Sequence, residues 1–486
     1  MMLTLHRVSF KWLLPGYLVL ATLLTRPARA EDTAPPAAPA AAQPLGLDQA
    51  IATALQFNPR VAQAEQDLSA AQALVTQVRA GSSVVTDLEV VNTHVNKVAS
   101  FVLPVPAPPP QYVSYETISL GRSQQTQATL TVAKPLYTGG KIPAAVRQSR
   151  AGASAVSEGL RRTLQTVVSD VKQAYYGVLL AADLVKVAEQ TAATVREHLR
   201  LAQAHFEAGT APRFDVLRAE TQVADSEQVV IQARNGLNLT RAALDNAMGL
   251  PQGQQYELKT SFAPPQGEVA PLETLVEQAH AARPELGQVK AQIDAAGAAA
   301  DLARADKHPT LGVGWVYNRV FNTSALQVTN STLALQATWP IFNGRQTSAA
   351  VSRARSQQES ARALLEQVRQ GIALQVRQAY LSLGAARERI AAAAKGVEQA
   401  EEAHRIATVR YNAGVSIGVE ILDAQAALAA ARNNHARAVY DYNVALTQLE
   451  FATGSWRPAE LSATPVAPPP QRPAASPGAE QEQPSS

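Results

Sequence analysis

The side chains that could do chemistry are few, and they gather at two turns. Glu420 and Asp423 open a helical pattern just after Gly414, and Asp215 opens another just after Gly209. A carboxylate in the first turn of a helix meets the positive end of the helix dipole, a stabilising arrangement that by itself requires no function. Beyond that, such acids attract cations and repel one another. The eight histidines are scattered, with no H-x-x-x-H or H-E-x-x-H spacing, so surface and packing roles are their default. No P-loop, G-x-G-x-x-G, nucleophile elbow or triad pattern occurs. The absence of cysteine excludes thiolate catalysis, disulfides and Cys-ligated metals. The expectation is a protein without catalytic residues, cofactor or metal, whose acids act through charge alone.

The turns that carry these acids are copies of each other. His205–Glu220, HFEAGTAPRFDVLRAE, recurs 205 residues later as Arg410–Gln425, RYNAGVSIGVEILDAQ. Each pairs a turn glycine with an acid (Asp215, Glu420), two aliphatics and an alanine. Gly209 and Gly414 fit the left-handed position that ends a helix, and Pro212 fits a first helical position. The copies are not equivalent, because Arg218 stands where the second has Asp423. A duplication at constant spacing overrides a domain count from length.

Residues 1–30 read as a secretory signal: basic start at His6, Arg7 and Lys11, apolar Trp12–Leu24, and Ala28-Arg29-Ala30 before the cut. No cysteine follows, so no lipid anchor is expected. The segment holds four basic and no acidic residues, and its removal takes the formal +3 to near −1. Nucleic-acid binding thereby loses its electrostatic support. No later apolar run is long enough for a membrane helix, so any span must be made of strands. Residues 31–44, Ala/Pro-rich, read as a linker, and 457–486 as a disordered tail.

Between the tails lie two repeats, 45–250 and 251–456. Helical patterns at Leu47–Ala80 and from Leu272 each break at a proline, Pro59 and Pro284. The period then changes to two. Strands are expected near 84–95, 124–136, 310–321 and 332–341, each with one apolar and one small or polar face. Thr86, Leu88, Val90 and Asn92 oppose Asp87 and Glu89, for example. Such segments suit a membrane barrel, and an ordinary half-buried sheet equally. Extra residues around Phe101–Leu120 read as a surface loop. Lys134 and Trp339 mark equivalent strand ends, where membrane-interface residues are placed. Long helical hairpins follow at 141–248 and 346–453. In the first, Leu164, Val171, Val178, Val185, Ala192, Leu199 and Phe206 step by seven, beside Val167, Ala174, Ala181, Ala188, Val195 and Ala202. Ile372, Ala379, Ala386, Ala393, Ala400 and Ala407 repeat the seam. A sustained heptad is coiled-coil packing, and alanine lets helices approach closely.

This arrangement, most specifically RYNAGVSIGVEILDAQAALAAARNNHARAVYDYNVAL at Arg410–Leu446, resembles the TolC-like outer-membrane efflux family over roughly residues 45–456. The resemblance implies an α+β membrane protein in a homotrimer. Four strands per protomer would share a 12-stranded outer-membrane β-barrel, continued by a periplasmic α-helical barrel. The function implied is a passive exit duct for efflux or type I secretion, with outer-membrane lipid around it. A periplasmic adaptor and an inner-membrane pump, RND or ABC type, would be its partners. The tips Gly209, Thr210, Ala211, Pro212 and Gly414, Val415, Ser416, Ile417 would dock the adaptor, and Glu420 and Asp423 would line the pore gate. Asp215 and Tyr411 match the family's gate-locking aspartate and tyrosine. Ser416 stands where the family has an arginine, so that charged bond is missing, and Arg213 or Arg410 is a candidate to replace it. The competing class is a structural periplasmic or surface coiled-coil protein without a channel.

Overall fold

The computed structural model describes residues 43–97, 99–106, 108–110, 113–119, 124–254, 256–259, 269–321 and 328–456. The expected signal, nearly all of the linker and the tail lie outside these. The chain up to Gln43 is one unit and Pro44–Ser486 a second, which holds the helices and the main sheet. In order the chain runs β1 (Gln43–Leu45), α1 (Leu47–Phe57), α2 (Pro59–Ala80), β2 (Val85–His94), β3 (Ser100–Pro106), β4 (Val113–Ser119) and β5 (Gln124–Tyr137). Then come α3 (Lys141–Glu207), α4 (Arg213–Met248), β6 (Tyr256–Leu258), α5 (Leu272–Ala282), α6 (Pro284–Ala305), β7 (Thr310–Phe321), β8 (Val328–Thr338), α7 (Gln346–Asn412) and α8 (Gly418–Thr453).

Helix lengths match across the halves: 11 residues in α1 and α5, 22 in α2 and α6, 67 in α3 and α7, and 36 in α4 and α8. Neither 67-residue helix, about 100 Å long, can be covered by a returning helix of about 54 Å. The shorter helices supply the difference, with α2, α4, α6 and α8 all packing on α3. The prolines that break the short helices create the joints. Asn58, between α1 and α2, accepts from the Arg60 N–H at 2.9 Å and donates to the Ala247 carbonyl at 2.8 Å. It thus caps the start of one helix and the end of another. Gly249, with φ +74°, lies so close that a Cβ there would fall 2.5 Å from the Phe57 carbonyl oxygen. At the second joint Arg283, buried and paired with Glu285 at 2.8 Å, donates to the Phe451 carbonyl at 2.9 Å.

The α3 seam is buried along Val167, Val171, Tyr175 and Val178, then Ala181, Ala188, Val195 and Ala202. The other expected line is less regular: Val171, Val178 and Ala192 are buried, Val185 and Leu199 half-buried, and Phe206 exposed. The column of small residues thus stays inside to near the tip, while the column of larger ones reaches the surface at Phe206.

Four strands form one antiparallel sheet in the order β2-β5-β7-β8. The register, Leu88↔Leu130, Leu130↔Tyr317 and Trp315↔Leu333, gathers Val90, Leu88, Leu130, Val132, Val313, Trp315, Leu333 and Leu335 on one face. Asp87, Glu89, Gln127, Thr129, Thr131, Gly312, Gly314, Asn318, Thr332 and Gln336 share the other. Among the described residues nothing covers the apolar face: Leu88 is 70% exposed and Leu333 73%. β2 and β8 are open edges. The segment expected as a surface loop is instead a hairpin, β3 with β4 in a separate sheet. Its prolines disguised it, since two-stranded ribbons tolerate proline on their free sides. The last strand is shifted from 332–341 to Val328–Thr338, because Pro340 cannot continue the ladder; Trp339 just beyond donates its Nε1–H to the Lys307 carbonyl at 3.2 Å.

Ala386 is fully buried in the α7 seam whereas Ala394 is exposed. Ala386→Leu is expected to cost about 1–3 kcal/mol by overpacking and Ala394→Leu to be nearly neutral, read as loss of helical circular dichroism on heating. Equal melting of the two variants would contradict the close-packed seam.

Candidate functional site

The two hairpin tips are built alike from their backbones upward. α3 ends with the Gly209 N–H on the Phe206 carbonyl and the Thr210 N–H on the His205 carbonyl, both 2.9 Å. α7 ends with Gly414 on Tyr411 and Val415 on Arg410, both 3.0 Å. This crossed pair satisfies carbonyls that a helix end leaves free, and it needs a left-handed residue. Gly209 (φ +70°) and Gly414 (φ +72°) supply it. Pro212 and Ile417, both extended, then launch α4 and α8. Ala211 joins the first turn through the His205 carbonyl at 3.2 Å. The tips present apolar side chains to solvent, with Val415 67% exposed and Ile417 and Phe214 close behind.

Of the acids, Glu420 is held and Asp423 is not. The Ser416 hydroxyl donates to Glu420 Oε2 at 2.6 Å, and Arg410 Nη1 lies 3.5 Å from the same oxygen. Asp423 is exposed and has no hydrogen-bond or ion-pair partner among the described residues. Both Arg410 and Glu420 are about half exposed, so solvent screens their attraction and it contributes little to stability.

Near the tips Tyr411 makes contact between the hairpins. It is buried with Ala407 and Ile421 against Leu201 of α3. Its ring lies 5.1 Å from His198 and 5.6 Å from His205, centroid to centroid. Asp215 faces this group from α4: burial raises the Tyr411 phenol pKa and the Asp215 charge raises it further. Burial lowers the His198 pKa, with Asp215 opposing. Asp215 and Tyr411 are thus neighbours, but no hydrogen bond joins them among the described residues. Ser416 directs its hydroxyl to Glu420, and Arg410 pairs with Glu420 rather than with Asp215. Arg213 makes no ion pair among the described residues. Sequence reasoning passed over His198 and His205. A signal was present for His198, which stands three residues after Val195 and four before Ala202 and so falls on the buried seam.

Four antiparallel strands with one apolar and one polar face, joined to 67-residue helices, define a class: outer-membrane channels with a periplasmic helical part. The chain matches the model of the outer membrane efflux protein family over residues 50–250 and 275–455. It belongs to that family, the TolC-like outer membrane factors, and resides in the outer membrane with a periplasmic part. It is 28% identical over 346 residues to the alkaline protease secretion protein AprF of Pseudomonas aeruginosa, covering 69% of this chain and 70% of that one. With protein CyaE of Bordetella pertussis the identity is 26% over 344 residues, 67% of this chain and 72% of the relative. The crystal structure of the Campylobacter jejuni CmeC outer membrane channel superposes with a TM-score of 0.68 at 16% identity, over 84% of this chain and 85% of that one.

Since the Tyr411 hydroxyl bonds to neither Asp215 nor Ser416, its ring rather than its hydroxyl makes the contact between the hairpins at the tips. Tyr411→Phe is expected to leave hydrogen exchange in the first turns of α8 unchanged. Tyr411→Ala should accelerate it by removing up to about 3–5 kcal/mol of ring burial. A Phe variant as mobile as the Ala variant would reassign the contact to the hydroxyl.

Proposed function

We propose that this chain is one protomer of a trimeric exit duct for efflux or type I secretion. The observation that carries the reading is the sheet. Four strands cannot close on themselves, since barrels need about eight, and open edges are not tolerated in lipid. Three copies joined β2 to β8 give a 12-stranded barrel with the apolar face outward and Asp87, Glu89 and the threonines inward. The long helices then continue the wall into the periplasm. The matched helix lengths, repeated at an offset of 225 residues before the strands and 205 after them, support an internal duplication as its origin.

The duct is passive. Its energy comes from an inner-membrane pump, of RND or ABC type, reached through a periplasmic adaptor. The exposed apolar tips at Gly209–Pro212 and Gly414–Ile417 are the docking points. The second hairpin lines the gate with Glu420 and Asp423, and threefold symmetry converts this pair into six converging acids that favour cations. The first hairpin braces it through Asp215. Arg410 and Ser416 take part of the Glu420 charge, which leaves Asp423 as the stronger determinant.

Planar-bilayer recordings of the purified outer-membrane protein test this. Asp423→Ala should lower the cation-to-anion permeability ratio more than Glu420→Ala does, and the double variant most. A ratio unchanged in all three removes the acidic ring, and a chain that crosslinks only as a monomer removes the duct.

A further inference from the structure

We propose that His198 is a positioning residue of the gate: it seats the second hairpin against the first only while its imidazole is uncharged, so acidification of the periplasm loosens the closed tip. This rests on the duct reading.

The geometry places His198 where four helices meet. It projects from α3, is 6% exposed, and lies against the Tyr411 ring of α7. Its Nε2 would stand 3.7 Å from a Cβ built on Gly418, the first residue of α8. Gly418 offers no side chain to replace the contact, so the start of α8 rests on the two rings. The Nδ1 of His198 is buried with no hydrogen-bond partner among the described residues.

The groups facing it can be taken helix by helix. On α3, Glu197 and Arg200 are exposed and paired with each other at 2.6 Å. His205 on the same helix shares its Nδ1 with the Thr210 hydroxyl at 3.1 Å. From α4 comes Asp215. From α7 come Tyr411 and Arg410, and from α8 Glu420, with Arg410 and Glu420 paired to each other. One carboxylate, Asp215, therefore favours the charged imidazole against burial, which disfavours it and is the larger effect. The sign follows. A histidine held below its ordinary value of about 6.5 stabilises the closed seat above that pH. This contribution is lost as the pH falls below it, because the proton binds more tightly to the separated, hydrated state.

Further unpaired polar atoms lie near the same helix ends. His404 Nε2 on α7 and Gln425 Oε1 on α8 are also buried without partners. With His198 they fall within about 15 Å of the helix ends, counted at 1.5 Å per residue. Buried polar atoms left unpaired weaken the packing that holds them. Here three of them lie near the tips, and His198 among them faces the opposite hairpin.

The experiment records conductance of the full-length trimer in planar bilayers at about pH 7.5 and about pH 5.5, on either side of the ordinary histidine value. Wild-type conductance should rise several-fold at the lower pH. His198→Phe, which keeps a ring of similar shape, should stay at the low level at both. His198→Ala should be raised at both. His205→Phe should keep the wild-type response. Circular dichroism and crosslinking of each variant establish that it is folded and trimeric. A wild type insensitive to pH, or a His198→Phe variant that keeps the acid response, overturns the role of His198 and leaves the duct standing. Absence of conductance at either pH, even in the Tyr411→Ala variant, overturns both.

Discussion

A helix of 67 residues exposes about 100 Å of apolar stripe, and the remaining elements are arranged to cover it. A single returning helix of equal length would need a turn at the membrane as well as at the tip. This chain instead lays two shorter helices end to end, and the weak point of that solution is the butt joint between them. There the carbonyls that close one helix face the amides that open another. Asn58 answers with a side chain that donates to one and accepts from the other, and Gly249 lets the backbones touch. Arg283 answers with a guanidinium that reaches the Phe451 carbonyl, Glu285 and Gln375. The same problem is met by a neutral cap in one half and a buried charge in the other.

The helical part was largely legible in the residues. Heptad spacing, the prolines at 59 and 284, and the glycines at 209 and 414 are local signals whose meaning does not depend on distant partners. The sheet was legible in its alternation and not in its pairing. Which face joins which across four strands is set by register, and register appears only when Leu130 is seen between Leu88 and Tyr317. The β3–β4 hairpin was hidden because Pro104 and Pro106 argue against a strand, while a two-stranded ribbon has free sides that need no N–H. At the tip, Tyr411 and Asp215 were identifiable one by one. Their separation by a contact short of a hydrogen bond was not, and neither was Ser416 turning toward Glu420. His198 was lost among scattered histidines because a lone imidazole in a seam is usually packing.

The tip thus combines features that seldom occur together in a stable core. Its backbone turns are capped, so the turns themselves are firm. Its side chains include a buried imidazole, a half-exposed carboxylate and a freely exposed one. A firm turn on a polar, imperfectly satisfied seam can move as a rigid piece without unravelling. The sheet is the opposite: its strands are tied to one another by ladders of backbone hydrogen bonds and cannot part without breaking them.

The two open edges have a consequence for heredity. If the chain assembles as a trimer, a subunit that folds its helices but presents a damaged β2 or β8 keeps its helical surfaces for association with sound partners. On the trimeric reading, one such subunit leaves a gap in the wall that two intact neighbours cannot close. In a cell expressing both forms, assemblies drawn from the mixed pool would mostly contain at least one defective member. Lesions in the edge strands would therefore behave as dominant, while lesions that abolish folding altogether would be recessive, because the failed chain never reaches its partners.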